Sequence, residues 1–592
     1  MVKPLPRNAL LASFDFEIAS EPIELRYWNS TTPEQEQYGP EHFTFFSKAI
    51  APIIQQSNAR ELHLRFTQGW WDSDTWGALP KNGLKSGGTG VEVLAVIEAY
   101  DVKEAQRNWF RLSKALSGFF CASLNFIEPA ITTYPQYKAN DITSLHYIQK
   151  PGNKLYILRA ALPSEPICTE NLTPFLKLLP TRGKAGISSL LDGHKVFDSL
   201  WHSMAVDVTS VCDDTQDNNK CHLRMEQSVT AIVDVLRSLR KHKEGGIPRP
   251  VKGDELRCDP SKTHNPWQCF PLDDPVDLKW NLGTIFGRNI KGQAFSGNIR
   301  SSILGLKVDS NHWKTQLVKH KKSGSERHDI VGNSIAFYLD DDIEYDVSFE
   351  TANGGINVAP IEKPPILLSR ALTGYSQDHG GLRTEITNPS NSSMDFVYFE
   401  TLPWFMRLYL SSMVVSFENE TSSYTIAGID GSTHIKDIYY KPAVDRKRPA
   451  QIELSISLPP KLTLLFSYEF DKSILLLDEY PPDANHGFAI DPAVITIIDD
   501  NKRGIYEVRS TSLVLSLPTP DFSMPYNVII FTCTVMSLAF GSLYQLLVKK
   551  VVTEEEFEAA SVDSGIKGLV SRVKSKLGKR KRDTVTEEPQ KK

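Results

Sequence analysis

Hydrophobic and polar positions alternate with a period of two in several stretches and recur at helical spacing in others. In ELHLRFT, Leu62, Leu64 and Phe66 alternate with polar neighbours, which predicts a strand with one buried face. Val91–Ala99 is almost wholly apolar and predicts a second strand, and Asn153–Leu162 a third. From Tyr38-Gly-Pro-Glu onward, Phe43, Phe46, Ile50 and Ile53 share one helical face. Asp101-Val-Lys-Glu104 has the form of a capping box, and the helix behind it presents Trp109, Leu112, Leu116 and Phe119. This mixture runs to about residue 240. Residues 241–280 then concentrate Pro, Gly and charge (KHKEGGIPRPVKGDELRCDPSK) and predict a linker or long loop. Beyond 280, strands separated by turns dominate. Ile452, Leu454, Ile456 and Leu458 alternate, as do Leu462, Leu464, Phe466, Tyr468 and Phe470 after the Pro459-Pro460 break, and Ile505–Leu517 is a further case. The expected fold is α+β and β-rich. It has an N-terminal mixed α/β domain over 1–240, a linker over 241–280 and a C-terminal antiparallel β-sandwich over 281–520, without an internal repeat.

One segment follows neither pattern. Tyr526–Val548 is 23 residues without a formal charge. As a helix it would be about 35 Å long, enough to cross a hydrocarbon core of about 30 Å with some tilt. Lys549 and Lys550 follow it at once, and PTPDFSMP before it has no basic residue. That bias places the tail, 549–592, in the cytosol and the large N-terminal region across the membrane. Asn527, Thr532, Thr534, Ser537, Ser542 and Gln545 are polar and Gly541 is small, a composition suited to packing against other helices. The start, MVKPLPRNALLASFDFE, lacks the 7–15-residue apolar core of a signal peptide. With the inferred topology, the expectation is that the sequence begins after a cleaved signal or that its start is misassigned.

Composition narrows the classes. Apolar residues are 41% and charged residues 23%, which excludes wholesale disorder. The net charge is −5, so nucleic acid is not an expected partner. Residues 549–592 carry 12 Lys/Arg against 8 Asp/Glu, leaving 54 against 63 in the first 548. The KRKR run of the tail reads as a solvated or lipid-facing segment more readily than as a nuclear signal.

Of seven cysteines, Cys533 lies in the apolar span. No C-x-x-C pair occurs, and no metal site is expected. Cys212 with Cys221, and Cys258 with Cys269, are close in sequence and are candidate intrachain disulfides in an oxidising compartment. Cys121, in GFFCASL, reads as a buried thiol. Cys168 is then left without an intrachain partner, which suggests an intermolecular bond; a bond to Cys121 is the alternative. Candidate N-glycosylation sites are Asn29, Asn171, Asn391 and Asn419, all before the span.

No catalytic constellation emerges. G-x-S-x-G, H-E-x-x-H, the P-loop and G-x-G-x-x-G are all missing, and no cofactor is expected. Gly87-Gly-Thr-Gly90 reads as a tight turn, and Asp340-Asp-Asp342 with Glu344 and Asp346 as a charged strand edge rather than a calcium loop. His194, His202 and His222 read as single surface histidines. Trp70, Trp71 and Trp76 (TQGWWDSDTW) could bind a sugar or pack against the N-terminal domain.

Four long stretches carry a family resemblance: LHLRFTQGWW (62–71), CTENLTPFLKLLP (168–180), DFVYFETLPWFMRLYLSS (395–412) and PDFSMPYNVIIFTCTV (520–535). In this order they resemble the PIG-T subunit of the glycosylphosphatidylinositol (GPI) transamidase, in its fungal form. The resemblance implies a non-catalytic, single-pass type I subunit of an endoplasmic-reticulum membrane complex. That complex cuts a C-terminal signal from precursor proteins and joins the new carboxyl end to a GPI lipid. The implied partners are a caspase-like catalytic subunit, the other membrane subunits, the GPI lipid and the precursors. It also implies that the cysteine of CTENLTP, here Cys168, forms a disulfide with the catalytic subunit. The span would help form the cavity for GPI, with Met524, Pro525, Tyr526 and Asn527 as candidate lipid contacts at its lumenal lip. For Asn527 a helix N-cap is an equal alternative. The competing reading of the whole chain is a type I membrane receptor or lectin that binds glycan through Trp70 and Trp71.

Overall fold

The computed structural model describes residues 1–20, 23–24, 46–137, 152–212, 220–244, 256–258, 269–271, 278–292, 302–320, 328–331, 334–340, 343–351, 361–374, 376–417, 423–425, 434–481, 484–501, 503–519, 521, 523–548, 551–557, 570 and 573–574. They fall into two compact units, Met1–Pro518 and Thr519–Lys592.

The first unit is built on a long mixed sheet. From one edge its strands are His328–Val331, Ser334–Tyr338, Ile303–Lys307, Val2–Leu5, Ala9–Ala19, Lys220–Asp234, Trp201–Cys212, Ala59–Gly69, Gly90–Ala99 and Lys154–Leu162. Neighbours pair antiparallel except Val2–Leu5 with Ile303–Lys307, which are parallel. Leu62, Leu64 and Phe66 point into the core as their alternation requires. The opposite face of that strand is also covered: Glu61 and Arg65 are buried. All ten residues of Gly90–Ala99 are buried, which is why that strand reads as a continuous apolar run.

Two helices lie on this sheet. Helix α1 (Val102–Phe120) starts where the capping box predicts: the Glu104 N–H donates to Asp101 at 2.7 Å, and Glu104 Oε2 accepts from the Tyr100 N–H at 2.9 Å. It buries Trp109, Leu112, Leu116 and Phe120, with Phe119 partly buried beside them. Helix α2 (Thr169–Leu178) buries Leu172, Phe175 and Leu178, and its Phe175 carbonyl accepts from Gln227 Nε2 of the sheet at 2.8 Å. The helix expected from Tyr38 is described only in part: Phe46, Ile50 and Ile54 are buried around a short helix, Ala51–Gln56, and Phe43 lies outside the described residues. A smaller antiparallel sheet (Lys279–Asn281, Ile290–Lys291, Trp313–His320 and Glu344–Thr351) joins the same core, where Trp280 stacks on Phe349 with ring centroids 4.2 Å apart.

The antiparallel sandwich is present but shorter than expected. One layer is Leu367–Thr373, His379–Thr387, Thr463–Lys472, Met406–Phe417 and Ser423–Thr425; the other is Ile435–Lys441, Ala450–Leu458, Met394–Leu402, Val494–Ile498 and Gly504–Arg509. Tyr398 of one layer meets Phe466 of the other edge-to-face at 4.9 Å. Two sequence expectations are corrected here. Ile303–Lys307, His328–Val331 and Ser334–Tyr338 belong to the first sheet, so the sheets do not divide at 241–280. Ile505–Leu517 is not one strand: it breaks after Arg509, and Leu513–Leu515 pairs with Phe488–Ile490 instead. Of the two readings of the tryptophans, packing holds for Trp71, which lies against Trp76 and Trp201 at 5.2 and 4.9 Å and donates its indole N–H to the Gly77 carbonyl, while Trp70 is 36% exposed.

First sheet and sandwich meet in a polar seam. Glu92 accepts from Arg159 at 3.1 Å and from Arg509 of the sandwich at 2.7 Å; Arg509 also reaches Glu507 at 2.9 Å. Arg159, Glu92, Arg509 and Glu507 are all less than a tenth exposed. Deeper in the sandwich, Arg370 and Glu400 are fully buried and 2.5 Å apart, and Arg370 Nη1 donates to the Asp491 carbonyl at 2.7 Å. Glu453 accepts the backbone N–H groups of Gln136 and Tyr137, both at 2.8 Å. At Gly83 (φ +72°) a Cβ would lie 1.8 Å from the Glu507 carbonyl oxygen, so only glycine lets the two backbones approach this closely.

Candidate subunit-linking site and membrane helix

The end of α1 and the start of α2 form an exposed junction. Helix α1 closes at Cys121, whose φ of 54° turns the chain outward, and α2 opens at Cys168. Asn171, in the first turn of α2, ties the ends together. Its Oδ1 accepts the Cys168 backbone N–H at 2.8 Å, and its Nδ2 donates to the Phe120 and Cys121 carbonyls at 2.9 and 3.3 Å. One side-chain amide thus satisfies an orphan carbonyl end and an orphan N–H end. Glu165 adds a second clip by accepting from the Ser123 N–H at 2.8 Å. Both cysteines are exposed free thiols. The Cys121 thiol donates to Glu170 Oε2 at 3.3 Å, and that carboxylate pushes its pKa up.

Two expectations change at this junction. Cys121 is exposed rather than buried. Its apolar neighbours Phe120 and Ala122 turn inward, and the left-handed step between them turns Cys121 out. Asn171 is 1% exposed and serves as a helix clip. Its Nδ2 donates to two carbonyls, and a glycan would replace one of its two hydrogens at a site with no room for a sugar, against the expectation of an open sequon. Asn391 is exposed in a turn of the sandwich, whereas Asn29 and Asn419 lie outside the described residues.

The other cysteine pairs are opposed in register. Cys212 faces Cys221 across the hairpin of the first sheet, and Cys258 faces Cys269 in a separate two-stranded ribbon. Opposed antiparallel residues have Cα atoms about 4.5–5.5 Å apart, inside the range of about 4.4–6.8 Å that a disulfide spans.

Among the remaining candidates, Asp346 is engaged structurally by Asn281 Nδ2 at 2.5 Å and by the Gly283 N–H at 2.8 Å. No group of three or more metal-ligating side chains occurs among the described residues. His202 is buried, its ring edge-to-face with Phe197, and burial lowers its pKa to about 4. Sequence reasoning missed the ion cluster on the outer face of the first sheet. There Asp207 meets His63, Arg65 and Lys85 at 2.6, 2.7 and 2.7 Å. Burial opposes ionisation of Asp207, but Arg65, His63 and Lys85 outweigh it and hold the carboxyl far below the usual range. The alternation of Glu61, His63 and Arg65 along one strand was the available signal.

In the second unit, helix α3 (Ser523–Leu547) has a mean hydropathy of 1.6 over its most apolar window and is long and apolar enough to cross a membrane. Met524 and Tyr526 are 71% and 50% exposed, and Pro525 sits in the first turn, where its missing N–H is not needed. The helix begins at Ser523, whose N–H is capped by Asp521 Oδ1 at 2.9 Å. Asn527 is therefore inside the helix, and the N-cap alternative falls. Thr532 and Thr534 bond back to the carbonyls of Val528 and Ile530, so these two polar groups are satisfied within the helix.

Comparison with known proteins places the chain. A family profile described as "Gpi16 subunit, GPI transamidase component" matches residues 1–574. The chain is 42% identical over 587 residues to the GPI transamidase component GPI16 of Saccharomyces cerevisiae, covering 99% of this chain and 93% of that protein. It is 31% identical to the PIG-T homolog of Schizosaccharomyces pombe (98% and 94% covered) and 27% identical to human PIGT (94% and 90% covered). Likeness to solved structures is slight: a collagen-binding subdomain of an Enterococcus faecalis surface protein aligns at TM-score 0.19 over 26% of the chain. The chain belongs to the Gpi16/PIG-T family of GPI transamidase components.

Proposed function

We propose that this protein is a non-catalytic, positioning subunit of the GPI transamidase in the endoplasmic-reticulum membrane. Its large unit is lumenal and its tail cytosolic. In this reading Cys168 forms a disulfide with the caspase-like catalytic subunit, and α3 joins the other membrane subunits around the GPI lipid. The observation that carries the reading is the exposed thiol at the start of α2, held in place by the Asn171 clip and free in this structure. A peptide carboxyl and a lipid-linked amine must meet at one thiol of another subunit. Holding that subunit in register above the membrane converts encounter into orientation, an effect worth up to about 7–11 kcal/mol in well-aligned systems.

The same reading assigns Met524, Pro525, Tyr526 and Asn527 to the lumenal lip of the lipid cavity. Tyr526 suits a membrane interface, and an amide inside an apolar helix is costly unless it meets a polar partner such as a lipid head group. Cys212–Cys221 and Cys258–Cys269 are proposed as intrachain disulfides that close two lumenal hairpins, and Asn391 as the sequon open to glycosylation. The test is reconstitution. The purified chain alone should transfer no precursor peptide to an amine acceptor, the assembled complex should, and the complex without this chain should not. Transfer by the isolated chain would overturn the non-catalytic assignment.

A further inference from the structure

Cys168 is not the sole thiol at the α1–α2 junction. Cys121 ends α1 in a left-handed conformation that glycine adopts freely and a residue with a side chain rarely does. Its Sγ is 3.3 Å from Glu170, two residues beyond Cys168, and the Asn171 amide bridges the Cys121 carbonyl and the Cys168 N–H. Both thiols are exposed, and the Glu170 and Asn171 side chains of the first turn of α2 contact Cys121 as well as lying next to Cys168. A single intersubunit disulfide has no use for a second thiol here.

We propose that Cys121 is the exchange partner of Cys168, so that Cys168 passes between an intrachain bond to Cys121 and an intersubunit bond to the subunit it links. This rests on the reading of Cys168 as the linking thiol. The intrachain bond is loaded by exchange with a protein disulfide, which leaves as a dithiol. On docking, the incoming subunit's thiolate attacks Cys168 Sγ. The intersubunit S–S bond forms, the Cys121–Cys168 bond breaks, and its electron pair leaves on Cys121 Sγ, which takes up a proton from water. One disulfide replaces another, so the docking step consumes no oxidant. Glu170 then accepts the Cys121 S–H hydrogen bond and keeps that thiol protonated. Only the thiolate attacks, so the return step is slowed and the intersubunit bond favoured.

The test uses the full-length chain, produced in excess over its partners, alkylated in acid and digested without reductant. The expected result is a linked pair of peptides spanning 115–138 and 160–177 in the unassembled pool. In the assembled complex, Cys121 should be alkylated and Cys168 joined to the partner. Cys121→Ser should lose the linked pair and lower the fraction of the chain in the intersubunit band, because Cys168 then reaches docking without a disulfide to exchange. Glu170→Gln, which leaves both thiols in place, should raise the linked fraction at the expense of the intersubunit band. Two alkylated thiols in the unassembled chain, with the intersubunit band intact in the complex, would overturn the exchange and spare the linking role. Loss of the intersubunit band from the wild-type complex would overturn both.

Discussion

Glu92, Arg159, Arg509 and Glu507 meet inside the seam between sheet and sandwich, shut off from water, while Cys121 and Cys168 stand in solvent at the α1–α2 junction. Both regions join distant parts of the chain through polar side chains. In the seam the charges neutralise one another, and removing one partner strands a buried charge. At the junction the clip is a neutral amide, and the reactive groups are left over. Polar chemistry turned inward holds the first unit together; the same kind of chemistry turned outward is available to another subunit.

The comparison breaks most sharply at the seam. Arg509→Ala leaves Glu92 and Glu507 buried without their shared cation and should cost about 3–5 kcal/mol, the range for breaking a buried pair. The denaturant midpoint of the purified chain checks it. Acid should act next. His202 is held neutral by burial, with its pKa near 4 against an ordinary 6.5, so between these values the unfolded chain binds a proton that the folded chain does not. Stability should fall as pH drops from 6.5 toward 4, by up to about 3 kcal/mol. His202→Gln should flatten that limb in the same measurement, and an unchanged limb would mean another group carries it. Asn171→Ala removes the clip and should cost about 1–2 kcal/mol, as helix caps do, while leaving the seam unaffected. Faster exchange of the amide hydrogens at the start of α2, but not of those in the sandwich, would show it. Asn527→Leu should leave stability within about 0.5 kcal/mol, as exposed changes do, yet lower surface display of GPI-anchored proteins. Unchanged display would remove Asn527 from the lipid site.

The contrast also explains what was legible in the sequence. The strands around Leu62–Phe66, Ile452–Leu458 and Leu464–Phe470 were readable because their apolar side chains share one face and polar ones the other, even where that polar face is itself buried, as at Glu61, Arg65, Gln451 and Glu453. The seam was not, because Glu92 and Arg509 are 417 residues apart and neither is unusual in its local context. The parallel pairing of Val2 with Leu306 is equally non-local, and it draws Ile303–Lys307, with Ser334–Tyr338 and His328–Val331 beyond it, into the first sheet against the Pro/Gly-rich boundary signal. At the junction, local context misled. GFFCASL looks like core, and only the helix end at Cys121 turns the thiol outward. Asn171 reads as a sequon and acts as a clip; its place three residues after Cys168 was the one hint of a cap. Cys168 was singled out by the CTENLTP resemblance and by a cysteine arithmetic that took Cys121 as buried; the structure places both thiols exposed, which removes that premise and leaves the linking role as a proposal.

The most direct measurement of the central claim is a non-reducing gel of the complex solubilised in mild detergent, with each band identified by mass spectrometry. The account predicts a reductant-sensitive species containing this chain and the caspase-like subunit, lost in Cys168→Ser while the subunits still co-purify. A complex in which this chain migrates alone without reductant, in wild type and Cys168→Ser alike, would contradict it.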